Sequence, residues 1–386
     1  NPDALVVATG CYVQTDPDGA MKDPMIDLLV GNNRKREIVS IVEEALSQRE
    51  KNLAHILDLR ETVPYEELKL ERTLEHTRAD IKVQDGCDQF CSYCIIPFAR
   101  GRSRSRKTEQ VVDEIRELAS RGYREVVLTG IHLSSYGIDL AEDNRHYNEA
   151  AGAGGFTNEA LLALIRETGR IPGIERIRLG SLEPRIITER FLEELAGIPA
   201  FCDHFHLSLQ SGSDSVLQRM NRHYTAAEYL EKTELIRRFF PQAAITTDVI
   251  VGFPGETEEE FMETRVFLDR ADLYETHVFK YSRRKGTAAD RMDKQLTEAE
   301  KNARSAILIG DSKKRQHSFM EKAIGTVVEI IGEEEIEEGG KTYMTGFTKN
   351  YIRCAYPAGT IRNKESGKGV VKGFLTDVIL EVLADS

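Results

Sequence analysis

The chain has 386 residues, of which 40% are hydrophobic and 30% charged, and its 52 basic residues against 64 acidic ones give a net charge of −12. Such a length predicts two or three domains, and the acidic balance excludes a protein that coats nucleic acid through its overall field, so any polyanion must be met by local basic patches. No apolar run reaches the ~18 residues a membrane helix needs and no signal peptide opens the chain, which predicts a cytoplasmic protein with no membrane partner.

The chain opens in "NPDALVVATGCYVQ", a strand-like apolar run with no methionine before it, which predicts an N-terminal truncation. From about residue 79, short apolar runs alternate with amphipathic helical patterns, the signature of repeated βα units and a parallel sheet. The candidate strands are "ADIKVQD", "REVVLTG", "IERIRLGS", "HFHLSL", "AITTDVIVG" and "ETHVFKYS". Six strands predict a partial (βα)6 barrel in an α/β fold. Between them, Val111, Val112, Ile115, Leu118 and Ala119 form one helical stripe. Thr225 with Glu228 and Thr257 with Glu260 read as capping boxes. The polar, glycine-rich stretch 141–155 reads as a loop. A long helical pattern from about 297 to 323 leads to the short strands "GTVVEIIG", "KTYMTGFT", "YIRCAY" and "DVILEVL", a small antiparallel barrel of OB type. The stretch "GEEEIEEGG" reads as a solvated hairpin tip. His204 and His206 are read as structural residues on opposite sides of their strand. The expected division is 1–70, 71–318 and 319–386.

Three of the six cysteines crowd into "GCDQFCSYCIIPFARGRSRSR", with four arginines behind them. Clustered cysteines in a chain this long read as metal or redox ligands rather than disulfides. The spacing C-x3-C-x2-C follows the first barrel strand, so Cys87, Cys91 and Cys94 share a loop at its carboxyl end, where βα barrels build active sites. Four thiolates close a [4Fe–4S] cluster; three leave one iron open to a substrate. A structural zinc completed by His76 or His132 is the alternative. An electron-carrier cluster needs a fourth cysteine, and Cys202 and Cys354 read as small buried hydrophobes instead.

The loop "CDQFCSYC", with an aromatic before its last cysteine and six βα units around it, resembles the radical S-adenosylmethionine enzymes. The resemblance implies that the amine and carboxylate of S-adenosylmethionine chelate the open iron, and that the reduced cluster releases methionine and a 5′-deoxyadenosyl radical. "CIIPFARGRSRSR", "LTGIHLSSYG", "HLSLQSGSDSVLQRMNR", "TTDVIVGFPGETEEEF" and "HVFKYSRRKGTAA" narrow it to the methylthiotransferases, specifically the branch acting on threonylcarbamoyladenosine in tRNA. The terminal barrel then resembles the RNA-binding TRAM domain, and residues 1–70 a remnant of the family's N-terminal α/β domain.

What the resemblance implies is methylthiolation at C2 of the modified adenosine beside the anticodon, using two molecules of S-adenosylmethionine and an electron donor such as flavodoxin or ferredoxin. Thr129, Gly130, Ser181, Glu183, Gln210, Ser211 and Asp248 are its candidate contacts to the nucleotide. Cys11 matches one of three cysteines that hold a second [4Fe–4S] cluster in full members, so that cluster is expected only in a longer protein. Isopentenyladenosine in tRNA or an aspartate of a ribosomal protein are the alternative targets. A non-catalytic iron–sulfur RNA-binding protein is the alternative of another class.

For RNA, Arg100, Arg102, Arg104 and Arg106 alternate along one stretch, with Lys107 following. If it is extended, they form a row of cations suited to the phosphates of an anticodon stem-loop. In the terminal barrel Tyr343, Phe347 and Tyr351 interleave with Lys341, Lys349 and Arg353, a mixture suited to single-stranded RNA or to a small core.

Overall fold

A computed structural model describes residues 4–48, 53–59, 63–68, 77–141, 146–152 and 155–384. The N-terminal part is a three-stranded parallel sheet in the order β1 (Val7–Thr9), β2 (Leu28–Val30), β3 (Leu53–His55). Helices α1 (Cys11–Thr15) and α2 (Pro17–Met21) follow β1, and α3 (Ile38–Gln48) precedes β3. Asp16 turns the chain between α1 and α2, its carboxylate accepting from Gly19 N.

All six expected barrel strands form. β4 (Arg78–Asp85) carries at its edge the two-residue β5 (Arg104–Ser105) and pairs in parallel with β6 (Glu125–Gly130) and then β7 (Arg176–Leu179). β8 (His204–His206), β9 (Ala244–Val251) and β10 (Glu275–Lys280) form a second parallel run. Parallel bridges Ile177–Phe201 and Leu182–Leu207 join the runs into one curled half-barrel. The strands are two-faced. Along β9, Ile245, Val249 and Val251 enter the helix-covered core, while Thr246, Asp248 and Ile250 take the inner face.

The outer face is closed by α5 (Thr108–Ser120), α7 (Glu159–Gly169), α8 (Glu189–Ala196), α9 (Asp214–Arg219), α10 (Ala226–Phe239) and α11 (Glu258–Ala271), while the short α4 (Ile96–Arg100) and α6 (Tyr147–Ala151) add nothing to that core. Val111, Val112, Ile115 and Leu118 of α5 are buried in the common core. Both expected capping boxes form, and a third, Thr297 with Glu300, opens the long α12 (Glu298–Glu321). The stretch 141–155 departs from a plain loop. Within it α6 buries Tyr147, whose hydroxyl donates to Glu183 Oε2 at 2.8 Å; residues 142–145 and 153–154 lie outside the described residues.

The C-terminal sheet has six strands, β11 (Val327–Ile331), β12 (Glu334–Glu338), β13 (Lys341–Phe347), β14 (Arg353–Pro357), β15 (Ser366–Thr376) and β16 (Ile379–Ala384), in the order 11-15-16-14-13-12. Its pairing is antiparallel except between β14 and β16. Two strands escape the sequence reading. The supposed hairpin tip contains β12, paired with β13 through a Gly339–Gly340 turn whose positive φ values suit a hairpin. In β15, three glycines and two lysines mask the apolar alternation.

This sheet docks on the amino ends of the barrel strands. Arg178, fully buried, donates to Glu125 Oε1 at 2.6 Å, to Thr348 O at 2.7 Å and to Lys349 O at 2.8 Å. Arg176 donates to Phe347 O and Glu329 O. Above them Phe347 stacks on Tyr351 at 4.6 Å, Tyr351 on His204 at 4.4 Å, and the Arg78 guanidinium lies 4.9 Å from the Phe347 ring. Most of the residues expected to read RNA have partners within the protein. Phe347 and Tyr351 seal the junction, Tyr343 is buried in the barrel core, and Lys349 Nζ donates to Pro199 O at 2.6 Å. Arg353 pairs with Glu334 on the neighbouring edge.

Arg178→Ala takes from buried Glu125 its nearest cation, leaving Arg176 at 3.7 Å and Arg78 at 3.9 Å, and strands two carbonyls, so a loss of about 3 kcal/mol is expected. Arg116→Ala, which breaks an exposed pair with Asp113, is expected to cost less than about 0.5 kcal/mol. Urea unfolding of the two variants checks the difference.

Candidate active site: the cysteine loop at the mouth of the barrel

The cysteine loop leaves β4 through Gly86, where φ is +72° and an added Cβ would lie 1.8 Å from Arg102 O. Only glycine allows this crossing. Gln84, fully buried, ties the neighbouring segments together. Its Nε2 donates to Gly86 O at 2.8 Å and to Ser103 Oγ at 2.9 Å, while its Oε1 accepts from His132 N at 2.8 Å. Cys87 N donates to Gly101 O at 3.0 Å and Cys94 N to Cys91 O at 2.9 Å, closing the loop on itself. On the far side Ser92 N donates to Met220 O and Ser92 O accepts from Ala289 N, which clamps the loop to the segments after β8 and β10.

The three thiols meet at a cavity of about 220 Å³, lined also by Tyr93, Ile131, His132, Ser181, Glu183, Gln210, Arg222 and Asp248. Burial pushes the Cys87 thiol up to about 12 and the Cys94 thiol up to about 11. Both stay protonated at neutral pH unless a metal draws the proton off. Arg222 is half-buried beside them, donating to Cys91 Sγ at 3.3 Å and to Tyr224 Oη at 2.9 Å. Burial works against its charge, but Tyr224, Cys91 and Tyr93 hold its pKa above the ordinary value.

The donors fit an iron–sulfur cluster better than zinc. Among the described residues one set of three ligand atoms lies within 4.8 Å of one another, and it is not the cysteines. A single zinc would bring its sulfurs to about 3.8 Å of each other. The half-buried guanidinium, which forms no ion pair among the described residues, also suits an anionic cluster rather than neutral thiols. His76, the other possible zinc ligand, lies outside the described residues. Cys202 and Cys354 are buried away from the cavity.

Of the residues expected around the nucleotide, Ser181, Glu183, Gln210 and Asp248 line the cavity. Glu183 is already engaged, accepting from Tyr147 Oη and from Arg185 Nε at 2.7 Å. Thr129, Gly130 and Ser211 do not line it. Thr129 sits opposite Lys82 in the β4–β6 pairing, Gly130 packs on Gln84, and Ser211 bonds Thr264 Oγ1 at 3.1 Å. Sequence reasoning missed Arg222 and His132 as parts of the wall. "MNRHY" gives no local sign that its arginine folds back onto the cysteines.

The basic strip is not a row of free cations. Arg104, on β5 opposite Asp85, is buried against that carboxylate at 3.4 Å, and Arg100 approaches it at 3.7 Å from the end of α4. Arg106 is buried between Glu114 at 2.7 Å and Glu67 at 3.0 Å. Arg102 remains outward, half exposed, paired with Asp88 and lying over the Phe90 ring. The histidines also need correcting. Residues two apart in a strand share a face, and His204 and His206 both contact Thr246 Oγ1, at 3.2 and 2.9 Å. Cys11 lies at the start of α1, which packs on α4; Asn32 Nδ2 joins the two, reaching Cys11 Sγ at 3.6 Å and Ala99 O at 2.6 Å.

His132 is half-buried, its Nδ1 against Ser135 Oγ, and desolvation of the ring lowers its pKa from 6.5 to about 4. In the unfolded chain it takes up a proton first, so its contribution to stability is complete above about pH 6.5 and is lost as pH falls towards 4. His132→Gln should flatten up to about 3 kcal/mol of that acid-side slope, read from urea unfolding at stepped pH.

A profile of the Radical SAM superfamily matches residues 81–268. The chain is 39% identical over 359 residues to a threonylcarbamoyladenosine tRNA methylthiotransferase of Bacillus subtilis, covering 92% of this chain and 76% of the relative. A protein of the same name from Aquifex aeolicus is 40% identical over 87% of the chain and 77% of its own length. A tRNA-2-methylthio-N(6)-dimethylallyladenosine synthase of Symbiobacterium thermophilum is 35% identical over 92% of the chain and 74% of its own length. In fold, the chain is similar to a radical S-adenosylmethionine methyltransferase of Kitasatospora setae, with TM-score 0.53 and 19% identity over 72% of this chain and 55% of that one. Three cysteines at the mouth of a curled half-barrel, within a sequence this close to those relatives, mean that the chain belongs to the radical S-adenosylmethionine methylthiotransferases.

Proposed function

We propose that the chain methylthiolates C2 of threonylcarbamoyladenosine beside the anticodon of tRNA, working on the anticodon stem-loop in the cytoplasm with a flavodoxin or ferredoxin as electron source. The observation that carries the chemistry is the convergence of Cys87, Cys91, Cys94 and Arg222 on one cavity. The choice of substrate follows the two relatives at 39 and 40% identity. The relative at 35% favours a second reading, the dimethylallyladenosine of tRNA.

Cys87, Cys91 and Cys94 would hold a [4Fe–4S] cluster, which would supply the electron for cleavage of S-adenosylmethionine. Around it, Arg222 donates a hydrogen bond to the Cys91 sulfur and fixes its orientation. Ser181, Gln210 and Asp248 offer polar atoms to the amine, carboxylate and hydroxyls of the nucleotide. His132, neutral through burial, and Ile131 form wall without adding charge. Cys11, joined through Asn32 to the helix that follows the cysteine loop, is one ligand of the second cluster.

In anaerobic assays with dithionite, 5′-deoxyadenosine release should rise with tRNA carrying threonylcarbamoyladenosine and vanish in Cys91→Ala. Stimulation by the dimethylallyl tRNA alone would transfer the assignment to the second reading. For RNA contact, Arg102→Ala should weaken tRNA binding and reduce the slope of log affinity against log salt by about 1. An unchanged slope would remove Arg102 from the interface.

A further inference from the structure

The inner face of the barrel carries a second group of donors below the cysteines. His206 on β8, Asp248 on β9 and His277 on β10 stand on three neighbouring strands, with His277 directly opposite Asp248 in the pairing register. One donor atom from each lies within 4.8 Å of the other two, and no other such set is found among the described residues. His206 Nδ1 is engaged by Thr246 Oγ1 at 2.9 Å, which fixes the ring and turns Nε2 towards the carboxylate. That Nε2 is 3.2 Å from Asp248 Oδ2, yet it is buried without a hydrogen bond, because the oxygen lies off the N–H direction. The His277 ring stacks on His206 at 5.6 Å and brings a second imidazole to the same carboxylate. A plain ion pair needs neither the misdirected nitrogen nor the second ring; a cation among the three donors accounts for both.

We infer that His206, Asp248 and His277 bind one divalent transition-metal ion of the zinc or iron(II) class, in addition to the iron–sulfur site. Zinc lies about 2.0–2.2 Å from nitrogen and oxygen ligands, so its donors sit about 3.3–3.5 Å apart. Binding therefore draws the three donors closer together. His277, with 44% of its side chain exposed, has room to swing inward, while His206 is anchored. The Thr246 bond to the ring nitrogen opposite the metal is the usual support of a histidine ligand. Two nitrogens and one oxygen leave coordination positions for an oxygen ligand, and Asp248 also lines the cavity from which such a ligand would come.

The test uses protein whose cysteines are already filled by anaerobic iron–sulfur reconstitution, washed with chelator, equilibrated with zinc sulfate and freed of excess metal. One zinc per chain should remain beside the iron in the wild type. His277→Ala, at an exposed position, and the size-matched Asp248→Asn should each retain almost none, with iron and sulfide unchanged. No retained zinc in the wild type, or wild-type retention in both variants, would overturn the site. Cobalt(II) gives a second readout. Weak visible bands without an intense near-ultraviolet sulfur-to-cobalt transition support nitrogen and oxygen ligands, and a strong sulfur transition that survives His277→Ala would assign the ion to cysteine and overturn the inference.

Discussion

Arg222 carries its charge inside the barrel with the Cys91 sulfur 3.3 Å away and no ion-paired carboxylate among the described residues. Burying a cation this way costs several kcal/mol unless an anion is close. Cys87 and Cys94 do not supply that anion by themselves, since burial keeps both protonated. Charge and ligation therefore depend on each other: when a metal deprotonates the sulfurs the guanidinium gains its counter-charge, and the guanidinium in turn favours the anionic, thiolate-bound state. The glycine crossing at Gly86 and the Gln84 bonds to two neighbouring segments hold the sulfurs where this exchange is possible.

The sequence was most legible where the information is local. C-x3-C-x2-C after a strand needs only eight residues to be read, the six barrel strands announce themselves by apolar runs, and two capping boxes are spelled out over four residues each. It was least legible where a residue's meaning comes from a distant partner. Arg104 and Arg106 look like a cationic row until Asp85, Glu114 and Glu67 close on them. Phe347 and Tyr351 look like RNA platforms until His204 and Arg78 cover their faces. β12 offers one apolar residue, Ile336, among four glutamates, so only its pairing with β13 makes it a strand. Arg222 needed the whole barrel to be drawn before its partner could be seen.

The two ends of the barrel solve the problem of buried charge in opposite ways. At the amino ends three guanidiniums, Arg78, Arg176 and Arg178, gather round the carboxylate of Glu125, Glu333 of the docked sheet pairs with Arg78 at 3.3 Å, and the remaining positive charge is met by carbonyls at residues 329, 347, 348 and 349. Carbonyls on two strands and a loop of the docked sheet cannot leave without stranding those cations, so this end is held closed. At the carboxyl ends the polar side chains of the inner face instead surround a cavity, and several buried atoms, His132 Nε2 and His206 Nε2 among them, have no hydrogen-bond partner. Unmet polar atoms are tolerated where something else completes them. The docked sheet at one end and the open cavity at the other thus separate the part of the barrel that holds the molecule together from the part that receives ligands.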